Sequence, residues 1–254
     1  MKKIIYLLSI TFLLLQSCSS GNNENVNNEN SIILCKHKVF STGSSWDYSY
    51  DGNKILMVKT GNSVILKYYY TGDLITKVET FDTNQLATRN TYIYNSANQL
   101  INEISVNYLP DPNNPAGNKT DYTYNSNNTI SFIYYLGLPG QYSLHSSGAI
   151  YLNNGEITSV NENYQNNVPN TSIMTRTYDN KNSPFKNILG INKILTRNGA
   201  GGGFQSRLKN PMTIGFTNNN LISYSYQYNE QGYPVSEHVT NSNSSSTSSC
   251  QYYY

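Results

Sequence analysis

One short phrase recurs along the chain and restricts its fold more than any other feature: aromatic, any residue, aromatic, a turn of Asn, Asp or Gly, then Leu, Ile or Val. It reads YSYDGNKIL from Tyr48, YYYTGDLI from Tyr68, YIYNSANQL from Tyr92, YTYNSNNTI from Tyr122, IYLNNGEI from Ile150, IGFTNNNLI from Ile214 and YQYNEQGYPV from Tyr226. Alternate residues of a strand share a face, so Tyr92 and Tyr94 point together while Ile93 points away. Asn98, Asn128 and Gly232 stand where a short turn needs φ > 0, a conformation that Gly and Asn accept at least cost. The returning strand alternates again, with Leu100, Asn102, Ile104 and Val106 set against Ile101, Glu103 and Ser105. Each copy is therefore one β-hairpin, and Pro234 suits a strand start or an exposed edge.

Successive turns lie about 12 to 38 residues apart, which leaves room for a second, more variable turn between copies. The variable turns include LPDPNNPAGN, Leu109 to Asn118, and NYQNNVPN, Asn163 to Asn170. Hairpin-linked strands usually pair with their neighbours, so the expectation is all-β: an antiparallel meander of on the order of 12 to 16 strands forming a curved or barrel-like sheet. Residues 180–212 interrupt the phrase. Phe185, Ile188, Leu189, Ile194 and Leu195 have partial helical spacing, which predicts a short helix or coil insertion over 184–196, packed on one face or end of the sheet.

Composition agrees. Tyr supplies 24 residues and Asn 39, and these suit pleated surfaces and turns respectively. The formal charge of +2 is accounted for by Lys2 and Lys3, and no Lys/Arg run follows. Nucleic acid is excluded as a partner, because neutralising phosphates requires a basic footprint.

Lys2 and Lys3 open a segment that continues as an apolar run from Ile4 to Leu15, too short for the about 20 residues that cross a bilayer. Residues 1–17 read as a signal peptide. Its end, LQSC, resembles a bacterial lipobox. That resemblance implies cleavage before Cys18, a diacylglyceryl group on its thiol and a fatty acyl chain, such as palmitate, on its amine. Several acyl chains make a stable anchor. Residues 18–30 form a polar, aperiodic tether with a reach of roughly 20 Å, followed by a single β domain over 31–254. In Bacteroidetes lipoproteins an acidic stretch after the cysteine directs export to the cell surface. Glu24 and Glu29 resemble a diluted form of it, and both faces of the outer membrane stay open as the location.

The repeated phrase resembles the tyrosine-aspartate repeat of Rhs-type shell proteins. Asn here mostly replaces the aspartate, the copies are few, and no toxin-like domain follows. The chain also resembles a family of Bacteroidetes lipoproteins described as having a porin-like fold, which share the lipobox, the tyrosine-rich hairpins and a terminal run like CQYYY. That family implies a porin-like sheet and brings no assigned activity. A membrane barrel needs a continuous apolar outer face. LITKVETF instead sets Lys77 and Glu79 on one face and Thr76 and Thr80 on the other, which favours a lipid-tethered sheet facing water.

No residue pattern selects a catalytic or metal site, and no cofactor is implied. His37, His145 and His238 lack ligand spacing. Asp82, Asp111, Glu156 and Glu162 are acids with nothing to single out a pair. GAGGGF lacks the Lys-Ser/Thr of a phosphate loop. Cys35 and Cys250 lie near the two ends of the domain, and a disulfide between them would lock a closed sheet. The tyrosines serve either as cross-strand packing or as a stacking platform, and their presence in nearly every copy favours packing. The functional expectation is a non-enzymatic binding or structural module of the envelope that engages a glycan, a peptide or an envelope protein. A barrel carrying a small apolar ligand and a hydrolase are the alternatives.

Overall fold

The computed structural model describes residues 32–109, 111–165, 171–195, 197 and 207–254. The leader expected over residues 1–17, Cys18 as the expected lipid-attachment residue, the expected tether of residues 18–30 and the GAGGGF segment lie outside the described residues. Ile32–Tyr254 is one unit.

Its strands are β1 His37–Phe40, β2 Ser45–Asp51, β3 Lys54–Thr60, β4 Ser63–Thr71, β5 Leu74–Asp82, β6 Gln85–Tyr94, β7 Leu100–Asn107 and β8 Ala116–Tyr124. They continue as β9 Thr129–Leu138, β10 Gln141–Asn153, β11 Glu156–Tyr164, β12 Thr171–Tyr178, β13 Pro211–Phe216, β14 Leu221–Tyr228, β15 Pro234–Asn241 and β16 Ser244–Tyr253. Every strand pairs antiparallel with its sequence neighbours, and β16 returns to β1, so the meander closes into a barrel. Closure removes the free sheet edges that would invite association.

The barrel has two unlike rims. The turn rim carries the repeat turns, where Asn98, Asn128 and Gly232 have φ of 57°, 60° and 76°. The loop rim carries the variable connections. Six of the seven phrases turn at the turn rim. The seventh, IGFTNNNLI, joins β13 to β14 and turns at the opposite rim. Its place at the turn rim, between β12 and β13, is taken by the long crossover 179–210.

Most returning strands bulge one or two residues past the turn rim. Tyr50 faces Ile55 but Ser49 faces Met57, which leaves Leu56 unpaired. Thr76, Ile101, Thr158, Met212 and Val235 occupy the same position in their hairpins. A bulge reverses the side-chain parity beyond it. Leu100 therefore faces the interior, Ile104 and Val106 face outward, and Glu103 faces inward opposite Tyr92. The simple alternation read along this strand is corrected accordingly.

The interior is aliphatic and aromatic. Ile55, Ile75, Val78, Leu100 and Ile150 are fully enclosed, and Tyr68, Tyr92, Tyr122 and Phe132 are nearly so. The crossover folds into this space from the turn rim. Among its described residues it contains a single 3-10 turn, Ile191–Lys193, and buries Ile188, Ile191, Ile194 and Leu195. The Leu189 N–H donates to the Asn53 carbonyl at 3.0 Å, and the Tyr70 hydroxyl donates to the Leu189 carbonyl at 3.3 Å. Gly190 has φ +77°, and a Cβ there would stand 2.7 Å from the Asp73 carbonyl oxygen, so a larger residue would lift the crossover off the wall.

The outer wall is different in kind. Met57, Lys67, Glu79, Arg89 and Val106 stand opposite one another in successive strands. Glu79 accepts hydrogen bonds from Tyr69 at 2.7 Å and Arg89 at 3.0 Å, with Lys77 at 3.3 Å. Lys119 and Asp121 pair further round at 3.0 Å. Ile93 and Ile133 sit exposed among these charges.

Candidate functional site

The second tyrosine of the phrase has a repeated task. Its ring points inward, and its hydroxyl bonds the backbone of the preceding hairpin's returning strand. Tyr94 donates to the Ile75 carbonyl at 2.8 Å, Tyr50 to Cys35 at 2.6 Å, and Tyr70 accepts from the Ile55 N–H at 3.1 Å. Tyr178 donates to Ile157 at 2.8 Å and Tyr254 to Pro234 at 2.7 Å. These two lie outside the seven phrases, and the tyrosine-aspartate pair at 178–179 and the terminal QYYY were the sequence signals for them. Exposed rings, at Tyr69, Tyr151 and Tyr253, lie on β4, β10 and β16 and form no common platform.

With the tyrosines assigned to the wall, the chemistry-bearing groups are the charges enclosed in the lumen. Glu156, at the start of β11, accepts the Leu208 and Lys209 N–H groups at 2.6 and 2.7 Å and faces Arg207 at 3.9 Å. Arg207 also donates to the carbonyls of Asn192 and Gly155. Burial pulls the Arg207 pKa down, with the Glu156 charge acting against that shift. This cluster fastens the end of the crossover to the wall. Nearer the loop rim, Glu162 takes hydrogen bonds from Arg197 and Ser146, and the guanidinium lies 4.1 Å from the Tyr134 ring centre. His145, the bulge residue of β10, sits edge-on between Tyr134 and Tyr164.

Glu103 is a luminal acid that the sequence reading does not single out, because its inward direction depends on the bulge at Ile101. It accepts the Tyr122 hydroxyl at 3.1 Å. Burial pushes its carboxyl up to about 7, while that hydrogen bond and the Arg197 charge pull it down. The fourth cluster is at the seam where the barrel closes: Lys38 on β1, Glu237 on β15, and Tyr252 on β16 between them.

Of the other acids, Asp82 and Asp111 are exposed; Asp111 caps the Asn113 N–H at 2.9 Å. Glu156 and Glu162 both face the lumen, but six residues of one strand separate them by roughly 20 Å. That exceeds the about 5 to 9.5 Å between the carboxyls of glycosidases. His37 pairs with Asp47 on the outer wall at 2.7 Å, and His238 faces outward between Ser225 and Ser249. Among the described residues no group of His, Cys, Asp and Glu is arranged to hold a metal.

Cys35 and Cys250 are both buried free thiols. Burial pushes them up to about 12 and about 11, with the Lys38 charge acting against it. The first and last strands do meet, but Cys250 faces Phe40. Cys35 lies five residues further along, ahead of β1, with its thiol donating to the His37 carbonyl at 3.6 Å. In this structure both thiols are free, and β-pairing and the Lys38–Tyr252–Glu237 cluster bridge the closure.

No family model and no curated protein matches the chain in sequence. Among solved structures it is similar to a porin-like protein from Bacteroides vulgatus, with a TM-score of 0.54 at 17% identity over 87% of this chain and 98% of that one. It is also similar to a porin-like protein from Bacteroides uniformis, with a TM-score of 0.48 at 12% identity over 86% of this chain and 96% of that one. The first likeness shows the fold.

Proposed function

We propose that this chain is a non-enzymatic envelope module: a barrel whose outer wall faces water, tethered to the outer membrane by lipid on Cys18, that engages a glycan, a peptide or another envelope protein. The observation that carries this reading is the inversion of polarity between the two walls. A membrane porin turns an apolar band outward and a polar face inward. Here Lys67, Glu79 and Arg89 form an outward ladder, while Ile75, Val78 and the tyrosines fill the inside. An Arg or Lys on the lipid face of a membrane barrel costs about 2 to 4 kcal/mol near the midplane, and this wall carries several.

The crossover supports a non-conducting role, since it occupies the lumen and is held there by Glu156 and Arg207. The fixed partners of Glu156 and Glu162 argue against their acting together as a hydrolase pair, because the two carboxylates are not at catalytic spacing from one another. Two measurements test the reading. The intact mass of envelope-extracted protein should show residues 1–17 removed and an acylated Cys18. Residues 32–254 immobilised on a matrix should retain a glycan or an envelope protein at mild salt. An unprocessed N-terminus refutes the anchor, and an empty matrix refutes the binding role.

A further inference from the structure

Beneath the crossover, at the closure seam, the lumen holds a cavity of about 150 Å³ with Lys38, Glu237 and Tyr252 on one side and Trp46, Phe185 and Tyr226 among its aromatic walls. Its charges are in contact but incompletely used. The Lys38 ammonium stands 3.7 Å from Glu237 Oε1, too far for a hydrogen bond. Tyr252 bridges them, accepting from Lys38 at 3.1 Å and donating to Glu237 Oε2 at 2.9 Å. An ammonium has three donors and a carboxylate about four acceptor positions. Among the described residues Lys38 spends one donor on Tyr252, and Oε1 takes only the Cys250 thiol, at 3.4 Å. Both side chains keep some surface open, 14% and 12%.

We propose that this cavity binds a small zwitterion of amino-acid size, its carboxylate on Lys38 and its ammonium on Glu237 against the aromatic faces. The volume fits: a cavity of about 150 Å³ admits benzene, hence an occupant of roughly six to eight non-hydrogen atoms, such as alanine, serine or proline. The charge balance fits as well. An anion or a cation alone would leave net charge in an enclosed space, which is costly, whereas a zwitterion adds one charge of each sign beside its complement. Ring faces favour an ammonium through their quadrupole. The proposal goes beyond the binding-module reading by adding a small-ligand site inside the barrel, and the two can fail separately, since a barrel whose cavity holds only water can still retain an envelope partner.

Trp46 is the one tryptophan of the sequence, so its fluorescence reports on the cavity. Full-length protein is titrated with alanine, serine and proline, with propionate and propylamine as single-charge controls and with phenylalanine as an oversized one. The expected result is a saturable fluorescence change with the three small zwitterions at millimolar concentration, and at least tenfold weaker response to the controls. The double variant Lys38→Met/Glu237→Gln removes both charges together and should abolish the response. If it fails to fold, Phe40→Trp keeps the charges and adds bulk to the cavity lining, and calorimetric titration should then show no binding. No saturable response from wild type, equal response to the single-charge controls, or binding unchanged in the variants would each overturn the proposal.

Discussion

Two glutamates on opposite sides of the same wall behave in opposite ways. Glu79 faces outward on β5. Burial alone would push its carboxyl up, but hydrogen bonds from Tyr69, Arg89 and Lys77 outweigh that and hold it below the usual carboxylate range. Glu103 faces inward on β7, where burial dominates and pushes it up to about 7. Outside, charges are abundant and compensate one another cheaply beside water. Inside, each charge needs a dedicated partner, and the rest of the space goes to aliphatic groups and phenols. The barrel is organised by this difference between its walls, and the following experiments are ordered by how hard they press on it.

Ion pairs should differ most. Glu156→Ala removes one side of an enclosed cluster and leaves Arg207 and two backbone N–H groups unmatched, so the urea-unfolding free energy should fall by about 3 to 5 kcal/mol. Asp121→Ala breaks the exposed pair with Lys119 and should cost at most about 1 kcal/mol. Equal losses would show that the crossover is not packed as described.

Apolar residues give the next contrast. Ile75→Ala empties a fully enclosed site and should cost about 2 to 5 kcal/mol. Ile93→Ala, on the exposed side of the neighbouring strand, should stay within about 0.5 kcal/mol. If the outer wall were a buried or lipid-facing surface, the second substitution would approach the first.

Hydroxyls come third. Tyr94→Phe removes the bond to the Ile75 carbonyl and should cost about 0.5 to 1.5 kcal/mol. Tyr253→Phe loses only an exposed contact with Gln251 and should leave the unfolding midpoint unchanged.

The pH dependence sharpens the contrast by sign. Glu103 in the folded state holds its proton up to about 7, above its ordinary value of 4.5. Its contribution is therefore fully present at acid pH and is lost as pH rises between those values. Glu103→Gln should flatten that decline. Glu79, held low, contributes above its unfolded pKa and loses that contribution as pH falls through its folded pKa, so Glu79→Gln should reduce acid sensitivity. Urea midpoints measured across the pH range distinguish the two, and variants that shift the same limb would contradict the assignment of walls.

Much of the wall was readable from residue order. The aromatic-x-aromatic phrase located most of the turn-rim hairpins because a turn with φ > 0 at Asn98 or Gly232 has few sequence solutions, and Lys77 and Glu79, read as sharing one face, do lie together on the outer wall. Two things were not readable. A bulge residue in most turn-rim hairpins reverses parity, so simple alternation sets Glu103 on the face opposite Leu100 and Ile104 beside it. A bulge at Ile101 leaves no compositional trace. The luminal clusters were also hidden, because Lys38, Glu237 and Tyr252 meet only through closure of β16 on β1, and Glu156 meets Arg207 only through the path of the crossover. Residue order likewise suggests that the two terminal strands meet, as they do, but not the register between them.

The most direct test of the central claim is detergent phase partition of the barrel alone. Residues 32–254, made without leader or tether and folded without detergent, should separate into the aqueous phase, while envelope-extracted full-length protein enters the detergent phase through its lipid. Partition of the isolated barrel into detergent would mean that its outer wall is a lipid-facing surface after all, and would contradict the account.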